Sequence, residues 1–248
     1  MLAIIGGTGL TRLKNLKITH RQVIRTPYGE PSGALTFGEI NDHHVVFIAR
    51  HGYGHTIPPH EINYRANIWA LAEQKVSRVV SVCTVGGIRE DLSPGTLVLP
   101  DQIIDYTSGR RHTFFEGGDK PVTHIDFTEP YCPKLRRRLI KAAKTSHQQL
   151  REHGVYAATQ GPRLETAAEI NRIAGDGGDM VGMTGMPEAA LAREAGLSYA
   201  AIAVVSNWAA GRGDSKHHVD LAAAETVFQD AIEHVHRMLE ALVKVDGD

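Results

Sequence analysis

The stretch Val79 to Val85 constrains the fold more than any other: it is mostly apolar, rich in β-branched residues, and closed by Gly86-Gly87. A strand with one wet face alternates apolar and polar side chains, so this run reads as a strand buried on both faces. Burial on both faces requires covering layers, which helices supply in parallel sheets. Similar runs recur along the chain. Leu2 to Ile5 breaks at Gly6-Gly7, His44 to Ala49 ends at Arg50-His51, and Tyr199 to Asn207 is strongly apolar.

The segments between fit that frame. Leu35 to Ile40 and His44 to Ala49 flank an Asn41-Asp42 turn, and Leu97 to Ile104, Val155 to Thr159 and Met180 to Thr184 read as further strands. Glu61 to Glu73 places Ile62, Ala66, Trp69 and Ala70 at helical spacing. Pro133 to Lys144 and Met186 to Glu194 are helices with proline in the first turn. Glu165 to Ala174 and Leu221 to Val243 complete the helical set, and the polar segment Asp105 to Asp126 reads as a long functional loop. This alternation describes one α/β domain over residues 1–248, with a mainly parallel central sheet flanked by helices. Ligands in such sheets collect at the carboxyl ends of strands. Gly6-Gly7-Thr8, Arg50-His51, Cys83-Thr84, Met183-Thr184 and Ser206-Asn207 all fall there.

Composition removes several classes of function. Lys plus Arg total 27 against 28 Asp plus Glu, a net charge of −1, which excludes a general nucleic-acid binder. No apolar run reaches the roughly 18 residues of a membrane span, and the N-terminus has no basic leader, so no membrane partner is expected. Cys83 and Cys132 make no disulfide framework, and a reduced, cytoplasmic setting is expected. His60-Glu61 opens like H-E-x-x-H, but Tyr64 stands where the second ligand belongs, so no metal is expected. G-x-S-x-G, G-x-G-x-x-G and the P-loop pattern are all absent.

What the strand ends carry suits a small anion and a heterocycle. Glycines at Gly6-Gly7-Thr8-Gly9 let backbone N–H groups approach an anion, though the same pattern also makes an ordinary turn. An Arg fork at Arg50 matches phosphate oxygens, and His51 adds a donor; a surface ion pair is the plain alternative. Glu165 is either a site acid or merely a helix-start carboxylate. The Asn207 amide offers a donor and an acceptor, which suits a heterocycle edge.

Together these residues carry a resemblance. Ile4-Ile5-Gly6-Gly7-Thr8-Gly9-Leu10, Ala49-Arg50-His51-Gly52, Asn63 to Leu71, Gly161-Pro162-Arg163, Met183-Thr184 and Pro187-Glu188 match in order and spacing. Over nearly its full length the chain resembles the trimeric purine nucleoside phosphorylases and methylthioadenosine phosphorylases, and among them most the bacterial S-methyl-5′-thioinosine phosphorylases. The resemblance implies a three-layer α/β fold with a central mixed sheet. It implies phosphorolysis of an N-glycosidic bond, with a nucleoside and inorganic phosphate as the partners and no cofactor. It also implies a homotrimer, with a dimer of trimers as the alternative assembly.

The resemblance assigns roles by position. Thr8, Arg50, His51 and Thr184 hold phosphate, with Cys83 and Thr84 adding contacts to phosphate and ribose. Cys83 departs from the threonine common there. Met183 lies beneath the ribose. Asn207 makes the catalytic contact to purine N7, and Glu165 accepts from N1–H. Where methylthioadenosine phosphorylases carry Asp-x-Asp, this chain has Asn207-Trp208-Ala209, which favours a 6-oxopurine over adenine. Near the 5′ group the resemblance puts Val219, Asp220 or Leu221; Leu221 there favours a methylthio substituent, whereas His217 or His218 would favour a hydroxyl and hence inosine or guanosine. His124 matches a histidine that a neighbouring subunit supplies over the 5′ pocket.

Overall fold

The computed structural model describes residues 1–7, 10, 13–118 and 121–245. Its strands are β1 (Leu2–Gly6), β2 (Lys17–Gln22), β3 (Leu35–Ile40), β4 (His43–Ala49), β5 (Arg78–Gly87), β6 (Leu97–Val98), β7 (Gln102–Asp105), β8 (Val155–Ala158), β9 (Met180–Gly182) and β10 (Ser198–Trp208). Its helices are α1 (Tyr64–Glu73), α2 (Pro133–Thr145), α3 (Ala167–Gly175), α4 (Gly185–Glu194) and α5 (Leu221–Val245). All ten strands join one sheet, in the order β2-β3-β4-β1-β5-β9-β8-β7, with β10 on β5 and β6 on β10.

The sheet is mixed. Five pairs are parallel, β1 with β4 and β5, β5 with β10, and β8 with β7 and β9. Four pairs are antiparallel. The β3–β4 hairpin turns at Asn41 and Asp42, both at positive φ, which Asn and Asp tolerate better than other non-glycine residues. Leu97 to Ile104 is two strands and not one. Leu99-Pro100-Asp101 separates them: β6 pairs with β10, β7 with β8.

β5 shows why both faces are apolar. Val79, Cys83 and Val85 pack with Ile68 and Leu71 of α1 and Leu191 of α4. Val80 and Val82 pack on the opposite face with Leu135 and Leu139 of α2 and Phe228, Ile232 and Val235 of α5. Strand periodicity of two thus feeds two separate helical layers from one run of residues. No helix among the described residues is long and apolar enough to cross a membrane.

Candidate active site

A cavity of about 310 Å³ opens where β1, β4, β5, β9 and β10 end, beneath the first turns of α5. Its walls come from residues far apart in sequence: Gly7, His51, Thr84, Met183 and Asn207 among them. The cavity thus lies where strand carboxyl ends gather, the place in which such sheets collect ligands.

One end is built for an anion. Gly7 is required there, because a Cβ would lie 2.7 Å from Val82 O and 2.8 Å from an Arg50 guanidinium nitrogen. Thr84 Oγ1 lines the cavity and is buried without a hydrogen-bond partner among the described residues. Thr184 N-caps α4 by position, but its side chain makes no capping bond, so the hydroxyl is not spent on the helix. His51 Nδ1 lies 2.8 Å from Ile57 O. A carbonyl only accepts, so Nδ1 carries the proton and Nε2 holds a lone pair. Burial, with the Arg50 charge beside it, lowers the His51 pKa to about 4, so the ring is neutral at pH 7. Thr8 lies outside the described residues.

Arg50 lines the cavity, but most of its fork is committed to protein partners. It is fully buried, with Nε on Glu188 Oε2 at 2.6 Å and Nη2 on Glu188 Oε1 at 2.9 Å. Nη2 also donates to Ser81 Oγ and Nη1 to Val82 O, so one of its five N–H groups remains for a ligand. Glu188 further accepts from Ser81 and from Tyr199. Burial alone would lower the Arg50 pKa, but the Glu188 charge outweighs it and the pKa is raised.

The opposite end suits a heterocycle. β10 shifts register against β5 between Val205 and Asn207. A bulge of this kind re-aims a side chain, and here two successive residues, Ser206 and Asn207, both line the cavity. Asn207 Nδ2 donates to Trp208 O and Oδ1 accepts from Ser206 Oγ, each at 2.7 Å, which fixes the orientation of the amide. One N–H and one lone pair stay available. Glu165 lines the same end. It is not a helix-start carboxylate: Thr166 caps α3 and Glu169 closes the capping box. Met183 faces the cavity and backs onto Gly161, where a Cβ would fall 2.4 Å from its sulfur.

Val219, Leu221, Ala224 and Phe228 form an apolar wall, with Glu225 beside them. Asp220 does not contribute, because its carboxylate caps α5 through the N–H groups of Ala222 and Ala223. His217 and His218 are exposed and do not line the cavity.

Three expected residues lie elsewhere. Cys83 Sγ points away, donating to Ile202 O at 3.7 Å, because strand alternation puts it on the face opposite Thr84. Burial pushes its thiol up to about 12, leaving a core residue and not a ligand. The Trp208 indole turns out of the cavity and packs on Gly213, where a Cβ would fall 2.5 Å from the ring. His124 is exposed and does not line its own chain's cavity. Sequence reasoning missed the parts that support the site. Glu188 stood in the sequence only within the Pro187-Glu188 pair that carries the resemblance, with no role of its own. Arg110 had no signal, yet it is 8% exposed and donates to Met183 O, Met186 O, Thr159 O and Gln160 O, tying both walls together.

Residues 1–244 match the family model described as the phosphorylase superfamily. A protein of Xanthomonas campestris pv. campestris described as a probable S-methyl-5′-thioinosine phosphorylase is 54% identical over 87% of this chain and 86% of its own length. A 6-oxopurine nucleoside phosphorylase of Pyrococcus furiosus is 47% identical over 87% of this chain and 82% of its own. Among solved structures, methylthioadenosine phosphorylase from Schistosoma mansoni in complex with adenine superposes with a TM-score of 0.94 at 35% identity, covering 99% of this chain and 91% of that one.

Proposed function

The chain belongs to the phosphorylase superfamily, and on that premise we propose that it cleaves S-methyl-5′-thioinosine with phosphate, giving hypoxanthine and S-methyl-5-thioribose 1-phosphate. The observation that carries the methylthio reading is the apolar wall: Val219, Leu221, Ala224 and Phe228 line the cavity while His217 and His218 do not. A thioether gains from such a wall, whereas a 5′-hydroxyl would lose a water partner there.

The base end supports a 6-oxopurine. Glu165 accepts from N1–H, which hypoxanthine has and adenine lacks. Asn207 donates its remaining N–H to O6 and accepts at a protonated N7. Adenine would set lone pairs against the Glu165 carboxylate, an unpaired arrangement that can cost on the order of 10⁴-fold in specificity. Ala209, with no carboxylate of its own, offers no acceptor to the amino group of adenine.

Bond breaking places positive charge on the ribose ring and negative charge on the departing base. Phosphate, held by Thr84, Thr184, the free Arg50 N–H and Thr8, stabilises the oxocarbenium-like sugar and then captures C1′ as the C1′–N9 bond breaks. Neutral His51 accepts from a protonated phosphate oxygen through Nε2. Met183 keeps water from the sugar face. No cofactor takes part, the enzyme is a cytoplasmic homotrimer, and His124 reaches the 5′ end of a neighbouring subunit's site.

A second reading, phosphorolysis of inosine and guanosine, is favoured by one observation: Glu225 stands in the same wall as the apolar residues and could bind a 5′-hydroxyl. The deciding measurement is kcat/KM for methylthioinosine, inosine and methylthioadenosine, each with and without phosphate. Phosphate-dependent preference for methylthioinosine is expected. Preference for inosine would transfer the assignment to the second reading, and turnover independent of phosphate would overturn both.

A further inference from the structure

Glu188 carries a buried charge that the proposed reaction does not use. It stands on α4 and meets Arg50 side on: Oε2 accepts from Nε at 2.6 Å and Oε1 from Nη2 at 2.9 Å. The carboxylate is itself fixed by the sheet. Ser81 Oγ on β5 and the Tyr199 hydroxyl on β10 each donate to Oε1 at 2.8 Å. Ser81 Oγ in turn accepts the second N–H of Nη2 at 2.5 Å. One edge of the guanidinium, Nε with Nη2, therefore has all of its N–H groups engaged by protein.

The other edge differs. Nη1 donates one N–H to Val82 O at 3.2 Å and keeps one. Nη1 and Val82 O both stand against Gly7, where a Cβ would fall 2.8 Å and 2.7 Å from them, and Gly7 and Arg50 line the anion end of the cavity. A guanidinium is planar and rigid, so a grip on one edge decides where the N–H groups of the other edge point. An arginine held only by its stem would instead have to give up rotamer freedom when an anion binds. Glu188 also balances the Arg50 charge, so this pair meets an anion through one aimed donor and not through net positive charge.

We propose that Glu188 is a positioning residue for phosphate: its grip on the Nε–Nη2 edge of Arg50 leaves the Nη1 edge set for the incoming anion. The inference rests on the phosphorolysis reading given above.

The test is KM for phosphate and for methylthioinosine, each with the other substrate saturating, together with kcat and Tm. The proteins are wild type, Glu188→Gln, Arg50→Ala, the double variant and Tyr199→Phe. Glu188→Gln keeps the shape but puts a donor where three donors converge. Phosphate KM should rise by about tenfold to a hundredfold, the worth of one hydrogen bond to a charged group, while methylthioinosine KM changes little. On the Arg50→Ala background, Glu188→Gln should add nothing to phosphate KM, and Tm should recover because no unpaired carboxylate stays buried. Tyr199→Phe removes one donor to Oε1 and keeps the ion pair. It should raise phosphate KM in the same direction by a smaller factor, and it decides the matter if a substitution in the pair prevents folding. A phosphate KM that is unchanged overturns the role of Glu188, and so does a lower one, which an unbalanced Arg50 charge alone would give. An equal rise in both KM values, or additive effects in the double variant, overturns it too. Wild-type turnover independent of phosphate would overturn the phosphorolysis reading, and the inference would fall with it.

Discussion

At the scale of single residues, the Arg50–Glu188 pair changes what a substitution at Arg50 reports. Both side chains are at most 1% exposed, and Glu188 accepts from Arg50, Ser81 and Tyr199. Arg50→Ala would leave a buried carboxylate without its cation, which costs about 3–5 kcal/mol. For a chain of this size that lowers Tm by about 6–20 °C, so thermal melting should fall together with phosphate affinity. A weaker phosphate KM with an unchanged Tm would mean that the pair does not hold in solution. A second residue carries a pH signature. His236 is 5% exposed and neither ring nitrogen has a hydrogen-bond partner among the described residues. Burial lowers its pKa from 6.5. The unfolded chain then binds more protons as pH falls below that value, so stability present above it is lost on acidification. His51, lowered to about 4, adds to the same limb. His236→Leu should therefore flatten the decline of Tm below pH 6.5 while leaving turnover at neutral pH intact. An acid limb identical to wild type would remove His236 from this role.

At the scale of elements, the apolar wall depends on how α5 begins. Asp220 Oδ1 accepts from the N–H groups of Ala222 and Ala223, each at 3.0 Å, and the wall residues Leu221 and Ala224 belong to that first turn. Losing such a cap costs about 1 kcal/mol and frays the turn. Asp220→Ala should raise KM for methylthioinosine more than KM for phosphate, with kcat little changed. Equal effects on both would argue that the turn does not form the 5′ wall. Elements also mark what the sequence could and could not convey. Buried strands such as β5 and β10 were legible because both faces are apolar. β2 was not, since Lys17–Gln22 is exposed throughout and shows no apolar run, although it pairs with β3 and stacks His20 on Phe37. The break between β6 and β7 was missed because apolar residues continue through Leu99, while the change of pairing partner is a tertiary fact. Cys83 and Thr84 are neighbours in sequence, yet strand alternation sends one to the core and the other to the cavity. Asn207 was legible as the polar end of an apolar run. Ser206 stood beside it at the strand end, but that both neighbours line the cavity needed the bulge, which no single residue announces.

At the scale of the whole molecule, two surfaces remain to be matched. Leu221 lines the cavity but is 64% exposed, and Val122, two residues from His124, is 74% exposed. Large apolar side chains standing open at a site mouth and on a long loop are what an assembly would cover. A trimer in which the 106–132 loop of one subunit lies over the next subunit's α5 would bury both and bring His124 to the 5′ end. Complementation tests this more sharply than a mass measurement. Asn207→Ala removes a group of the subunit's own cavity, and His124→Ala one that would act on a neighbour. Each variant alone should lose turnover of methylthioinosine. In mixed trimers some cavities would receive an intact Asn207 from one subunit and an intact His124 from its neighbour, and activity should return when the variants are co-expressed. If each site were complete within one chain, His124→Ala alone would keep wild-type turnover and mixing would add nothing. Recovery on mixing therefore requires both the assembly and the crossing of His124, while full turnover by His124→Ala alone would return the 5′ pocket to Val219, Leu221, Ala224 and Phe228.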